Sequence, residues 1–392
     1  MSMFRDRTFT ATGLAHLSVD ILNSQVAILL AFLSGPLHLT NALIGIVSTL
    51  YSLGGSLSQP LFGWISDRRS AKPFAVGGVV WMAACFAIAL FTPGRWALVV
   101  LIIGALGSAA FHPVGAAEAT RRGQYHLAKM ETTAASIFFF FGQGGLFLGP
   151  LVGGPLLDRW GKPGLLLLFL VVLPSTIYLQ HVWRPEPRPS QNTPGSGTGL
   201  RMAWLASPGI GVFILFIFLR SWTQMSVSAF LPKHISDLGY HPNVFGPIAG
   251  LFMGGSAIGG VAGGWLADRF GNRIVAFWTL ILAIFPLGGL AFAHEPITFA
   301  ILSFWAGALI GASHSIIIVL AQRMLPGQMG AASGLVLRFT FASGSIGNLV
   351  SGLIADWLDL PRLFLLLACL CSTSALLALT LKRKTAPQIV QV

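Results

Sequence analysis

Residues 63–68 read Gly63-Trp-Ile-Ser-Asp67-Arg68, and 201 residues further on the chain reads Gly264-Trp-Leu-Ala-Asp268-Arg269. Each stretch ends a long apolar run with a carboxylate and a guanidinium. The same ending, Gly-x-x-x-Asp, closes two more apolar runs, at Gly154-Pro-Leu-Leu-Asp158 and Gly352-Leu-Ile-Ala-Asp356. One copy alone reads as charged punctuation where a helix leaves a membrane. Four copies at matching places in 392 residues point instead to a repeated unit.

The runs between these endings set the class. The chain is 54% hydrophobic and only 9% charged, whereas a soluble domain carries about a quarter charged residues. Each run of near 20 residues is long enough to cross roughly 30 Å of hydrocarbon as a helix. Continuous apolarity, rather than alternation, argues against a β-barrel. The 46 glycines suit close helix packing in lipid. The predicted spans are about 8–35, 41–66, 73–92, 96–120, 131–157 and 163–183, then 208–232, 243–267, 274–293, 297–322, 328–355 and 361–381. Between the sixth and seventh lies a polar stretch with Pro185, Pro187, Pro189 and Pro194, which reads as a linker. The expected organisation is a six-helix bundle over 1–183, a cytoplasmic linker over 184–207 and a second six-helix bundle over 208–392.

The formal net charge of +12 reads as topology, not as nucleic-acid binding, because the basic residues fall singly or in pairs between apolar runs. With both termini cytoplasmic, 17 of the 24 Lys and Arg lie inside and 5 outside, and Arg220 and Arg338 fall within helices. Positive charge favours the cytoplasmic side, so that orientation is expected. It places the Asp67 and Asp268 copies of Gly-x-x-x-Asp inside and the Asp158 and Asp356 copies outside. That is the pattern of inverted three-helix repeats nested in two parallel halves. Cys85, Cys369 and Cys371 lie in apolar runs without metal-ligand or disulfide spacing. The first apolar stretch is long and contains Asp20, so it is expected to stay as a helix rather than be cleaved as a signal.

Polar groups inside the runs carry the chemistry. His16 and Asp20 stand four residues apart, on one face of the first helix, at a depth where an ionisable group is costly and a functional role is the default. Together they can bind and release a proton. Asn23, Ser24 and Gln25 follow one turn on. In the fourth helix Phe111-His112-Pro113 combines a histidine with a helix-loosening proline. Arg220 lies in the seventh helix at a depth similar to Asp20, beside Thr223 and Gln224, and is placed either to bind an anionic solute or to pair with Asp20. Arg338 lies in the eleventh helix, where it either snorkels to the surface or serves the substrate. His314 in the tenth is read more readily as a hydrogen-bonded core histidine than as a ligand. The run Phe138 to Phe141 either lines a cavity or packs between helices and lipid. Gly145-x-x-x-Gly149-Pro150-x-x-Gly153-Gly154 gives the fifth helix a small-residue face and a bend. No nucleophile–base pair, metal motif or phosphate loop points to an enzyme.

The 6+6 pattern with Gly63-x-x-x-Asp67-Arg68-Arg69, and with Asp268-Arg269-Phe-Gly271-Asn-Arg273 in the second half, resembles the major facilitator superfamily over the whole chain. The resemblance implies a twelve-helix, all-α membrane fold working by alternating access. Asp67, Arg68, Asp268 and Arg269 would then act in gating, a carboxylate pairing across the bundle interface with a basic group or a helix N-terminus. The Gly149-Pro150 segment is similar to the antiporter motif of drug:proton exporters and joins the gating set. His16-x-x-x-Asp20 with Phe111-His112-Pro113 resembles the fosmidomycin-resistance branch, regarded as proton-driven drug exporters. The chain departs from some members at Val114, where they carry an acid and this chain has Glu118 later, and it lacks the fourth-helix Arg of many drug exporters. The expectation is therefore proton-coupled export of a small anionic or amphipathic molecule from the inner membrane. Asp20 and His16 would carry the proton, and His112, Arg220, Gln224, Asn23, Arg338 and His314 would face the substrate. The proton is the coupling ion and no cofactor is expected; a monomer in the lipid bilayer is. Proton-coupled uptake, or transition-metal export through His16, Asp20, His112 and His314, are the alternatives.

Overall fold

The computed structural model describes residues 3–125, 131–183, 208–324 and 329–381; the linker at 184–207 lies outside them. The described chain is all-helical. The first six spans are α1 (Arg7–Ser34), α2 with α3 (Asn41–Leu57 and Gln59–Arg68), α4 (Lys72–Phe91), α5 (Trp96–Tyr125), α6 (Glu131–Gly164) and α7 (Phe169–Val182). The second six are α8 (Pro208–Asp237), α9 (Pro242–Phe270), α10 with α11 (Asn272–Leu282 and Ile284–Leu290), α12 (Pro296–Met324), α13 (Met329–Leu358) and α14 (Leu360–Thr380). These are the twelve spans expected from the apolar runs.

Local chemistry sets the ends. Asp6 caps α1 through a bond from Phe9 N at 2.9 Å, and Thr40 caps α2 through Leu43 N at 3.1 Å. Proline occupies the first turn of α3, α4, α9 and α14, where its missing N–H costs nothing. Gly161, at φ 63°, breaks the long apolar stretch after the fifth span. Large apolar side chains such as Trp81, Leu170, Val261 and Phe285 lie on the outside. In water such a surface would associate; in lipid it is the contact surface. Trp96, Trp160 and Trp357 gather near one end, and Trp64 and Trp265 near the other, as interfacial belts do.

The halves meet along two seams, α6 against α9 and α2 against α13, both toward the end that carries Asp158 and Asp356. Glycines allow the approach. A methyl group at Gly154 would lie 2.8 Å from Gly246 Cα, and one at Gly45 would lie 2.6 Å from Asn348 O. Thr49 donates across the second seam to Ser345 O at 2.6 Å. The Asp356 carboxylate then accepts from Asn41 N at 2.7 Å and Ala42 N at 2.9 Å, at the first turn of α2. Its counterpart Asp158 lies 3.7 Å from Nδ1 of His241, the residue before α9.

The opposite end is arranged differently. Here α3 packs on α5, within its own half. Asp67, Arg68, Asp268 and Arg269 are exposed. Arg68 lies over the Trp64 ring at 4.0 Å and Arg269 over the Trp265 ring at 4.2 Å, so both repeats settle their arginine on their own helix. Glu118, buried, pairs with Arg121 at 2.8 Å and Arg122 at 2.9 Å, which ties the end of α5 together rather than serving the interior.

Candidate functional site

The first half folds a polar cluster into its middle. His16 and Asp20 lie one turn apart on α1, and His112 reaches them from α5. His16 Nε2 is 3.3 Å from Asp20 Oδ2, and His112 Nε2 is 3.5 Å from Asp20 Oδ1. His16 and Asp20 are buried and His112 is half-buried. Asn23 donates to Asp20 Oδ1 at 2.8 Å and to Ser108 Oγ at 3.1 Å, and Tyr51 from α2 donates to Asn23 Oδ1 at 2.7 Å.

The imidazoles are oriented from behind. His16 Nδ1 is 2.7 Å from Phe138 O, and His112 Nδ1 is 2.8 Å from Ser108 O. A carbonyl oxygen only accepts, so each Nδ1 carries the hydrogen. Both Nε2 atoms therefore turn toward one carboxylate. Two neutral rings would present lone pairs to its oxygens at both contacts. The arrangement is satisfied when positive charge sits in those gaps.

Helix α6 forms the back wall. The Phe138 ring stacks on His16, with centroids 4.0 Å apart and planes at 19°. A methyl group at Gly142 would lie 2.5 Å from the His16 ring and 2.6 Å from Asp20 Oδ2. At Gly145 it would lie 2.9 Å from Ile21 N, and at Gly149 2.8 Å from Ile21 O. The glycine face of the fifth span is thus a seat for α1 at the level of its charges. Pro150 O lies against Gly246 in the other half, 2.9 Å from where a methyl group there would sit, so one turn of α6 touches both. Within the Phe138 to Phe141 run, Phe138 is buried against His16, while Phe139 and Phe140 are exposed.

The second half holds a cation instead. Arg220, 2% exposed, donates from Nε to Ser313 Oγ at 2.9 Å and from a terminal nitrogen to Ile310 O at 3.1 Å, both on α12. Among the described residues no carboxylate bonds to it. Asp20 is bound by His16, His112 and Asn23, so a direct Asp20–Arg220 pair is absent from this structure. His314, next to Ser313, is half-buried and within electrostatic reach of Arg220. Gln224, one turn along α8, is half-buried, and its Oε1 has no hydrogen-bond partner among the described residues. Arg338 is exposed on α13.

Sequence reasoning gave the proton to His16 with Asp20 and placed His112 with the substrate residues, joining the three, together with His314, only in its metal-export alternative; the structure brings His16, Asp20 and His112 together without His314. It missed Tyr51 and Ser108, uncharged residues whose polarity inside apolar helices was the available signal. It also left Asp158 and Asp356 out of the gating set, although the repeat had singled them out.

The comparisons with known proteins bear on the family and the fold. The family model described as Major Facilitator Superfamily matches residues 8–232 and 213–392. The chain belongs to the Major Facilitator Superfamily: it is a multi-pass membrane transporter and not an enzyme. The Fosmidomycin resistance protein of Escherichia coli K12 is 26% identical over 368 residues, covering 88% of this chain and 86% of that protein. The uncharacterized MFS-type transporter YfnC of Bacillus subtilis 168 is 28% identical over 365 residues, covering 88% and 85%. Multidrug resistance protein MdtG of Dickeya zeae is 25% identical over 285 residues, covering 68% and 66%. Among solved structures, a bacterial homologue of the human lysosomal transporter Spinster, inward-facing and occupied, matches at TM-score 0.82 and 13% identity, covering 96% of this chain and 97% of that one. The nucleoside transporter NupG matches at 0.77 and 16%, covering 97% and 100%. At these identities the structures speak for the fold alone.

Proposed function

We propose that the protein is a proton-coupled exporter of a small anionic or amphipathic molecule, a drug or a metabolite, working by alternating access as a monomer in a bacterial inner membrane with both termini in the cytoplasm. One observation carries the coupling: Asp20 lies between the Nε2 atoms of His16 and His112, whose Nδ1 atoms face backbone carbonyls. Protons fit the two gaps and are the smallest positive species that can. In the expected orientation the closed seams lie on the outside, so this is an inward-facing state. Cytoplasmic substrate would enter between the halves and meet the Arg220 region. Proton release from the cluster, and its reloading from outside, would drive the switch between states. The glycine-proline seat of α1 on α6, similar to the antiporter motif, and the names of the resistance relatives favour export over uptake.

The test is transport in proteoliposomes of defined orientation with an imposed pH gradient. Export predicts substrate movement opposite to the proton. Movement in the same direction as the proton would replace this reading with uptake. Movement indifferent to the gradient would remove the coupling.

A further inference from the structure

The cluster has a second property that protonation does not require. In a tetrahedral zinc site with bonds of about 2.0–2.2 Å, neighbouring ligand atoms stand about 3.3–3.6 Å apart. The two imidazole-to-carboxylate contacts here are 3.3 Å, from His16 to Oδ2, and 3.5 Å, from His112 to Oδ1; with one ligand atom from each residue, the three atoms lie within 4.8 Å of one another, so an ion would draw the groups slightly together around it. Both histidines present Nε2 to the common centre and give Nδ1–H to a backbone carbonyl. That is the arrangement by which proteins fix the tautomer of metal-binding histidines. The carboxylate is held in turn by Asn23, itself held by Tyr51. His314, counted with these ligands on sequence grounds, belongs to the Arg220 region and is not part of the set.

We propose that His16, Asp20 and His112 form a binding site for one divalent transition-metal ion, ligated by the two Nε2 atoms and the Asp20 carboxylate. Two imidazoles and one carboxylate suit zinc, cobalt or nickel, and an all-oxygen shell of the kind magnesium and calcium prefer is not offered. Three protein ligands leave a fourth position for water or another exchangeable ligand. The proposal shares its residues with the proton-coupling reading, but its test reads binding on the resting protein and needs no transport.

Tag-free full-length protein in detergent is titrated with cobalt(II) alone, and ligand-field absorption in the visible is recorded. One ion per chain is expected, with tetrahedral-type bands that zinc(II) abolishes and an excess of magnesium does not. His16→Ala and Asp20→Asn should lose the bands. His112→Gln, which removes the third ligand, should lose them too. His314→Ala and the surface variant His241→Ala should bind as the parent does. Each variant is first checked for a single symmetric elution peak; Asp20→Asn preserves side-chain size and serves if His16→Ala fails to fold. Absence of saturable binding would overturn the proposal, as would equal binding by the parent, Asp20→Asn and His112→Gln. Metal binding without gradient-driven transport would remove the coupling reading and leave the site standing; the reverse would remove the site alone.

Discussion

The two halves bring charge to a similar depth on their first helices, Asp20 on α1 and Arg220 on α8, but hold it in opposite ways. Asp20 is surrounded by groups that change charge, two histidines whose Nε2 atoms turn toward it. Arg220 is held by groups that do not, a serine hydroxyl and a backbone carbonyl. A guanidinium keeps its charge throughout any physiological cycle. The difference assigns labour: the first half can alternate its charge, and the second offers constant positive charge. Under the proposed function, that asymmetry in a symmetrical scaffold would let a proton and an anion be handled at one level without competing for the same side chain.

The comparison breaks most completely at Asp20. Asp20→Asn keeps the size of the side chain and removes the charge between the imidazoles. Gradient-driven transport in proteoliposomes should fall to background, while exchange of substrate across the membrane with no gradient should persist. Undiminished proton-driven transport by this variant would end the division of labour proposed here.

Arg220 is the next lever. Arg220→Gln should weaken an anionic cargo by about 10- to 100-fold, the worth of roughly 1.5–3 kcal/mol for a hydrogen bond to a charged group, and leave a neutral cargo unchanged. Arg220→Lys keeps the charge and loses the planar fork, so it should fall between the two. Binding measured by thermal shift against matched anionic and neutral compounds decides it. Equal losses for both classes would make Arg220 a structural cation.

How far the sequence carried this picture depends on the type of signal. All twelve spans were legible, because lipid demands long apolar helices and leaves no other way to satisfy a buried backbone. His16 with Asp20 was legible because the spacing within one helix fixes a common face. The direct contact with His112 was not, and His112 entered the same set only in the metal-export alternative alongside His314, since the contact depends on how α5 rotates against α1, which spacing within either helix does not set. Tyr51 and Ser108 were hidden for a related reason: an uncharged polar residue costs little in a membrane helix and draws no attention until its partner is seen. The glycines of the fifth span were legible as a packing face, while what they pack against, the charged turn of α1, needed the structure.

That seat gives a prediction of intermediate size. Gly145→Ala would put its methyl group 2.9 Å from Ile21 N and 3.0 Å from Asp20 Cβ, against a backbone that cannot swing aside. A loss of about 1–3 kcal/mol in stability is expected, with α1 displaced from α6 and reduced coupled transport. Gly144→Ala is the control on the same turn. Its nearest neighbour would be Leu17 Cδ1 at 3.7 Å, an ordinary contact, and its effect should stay within about 0.5 kcal/mol. Thermal unfolding in detergent compares the pair; equal effects would mean that the seat does not position the cluster.

The smallest effect is expected at the closed seams, where the two repeats again differ. Asp356 makes two hydrogen bonds of 2.7 and 2.9 Å to the exposed amides that begin α2, so it couples α13 to the positive end of a helix in the other half. Asp158 meets His241 at 3.7 Å, and that ring is 81% exposed, where solvent screens the pair. Asp356→Asn keeps a hydrogen-bond acceptor but loses the charge. It should shift the balance away from the state closed at this end by about 0.5–1 kcal/mol, roughly two- to fivefold in population. Asp158→Asn should shift it less. Spin-label distances between the first turn of α2 and the last turn of α13, and between the corresponding ends of α9 and α6, read both shifts directly. A larger shift from Asp158→Asn would reverse the ranking and place the principal latch on the α6–α9 seam, beside the glycine-proline turn that already touches both halves.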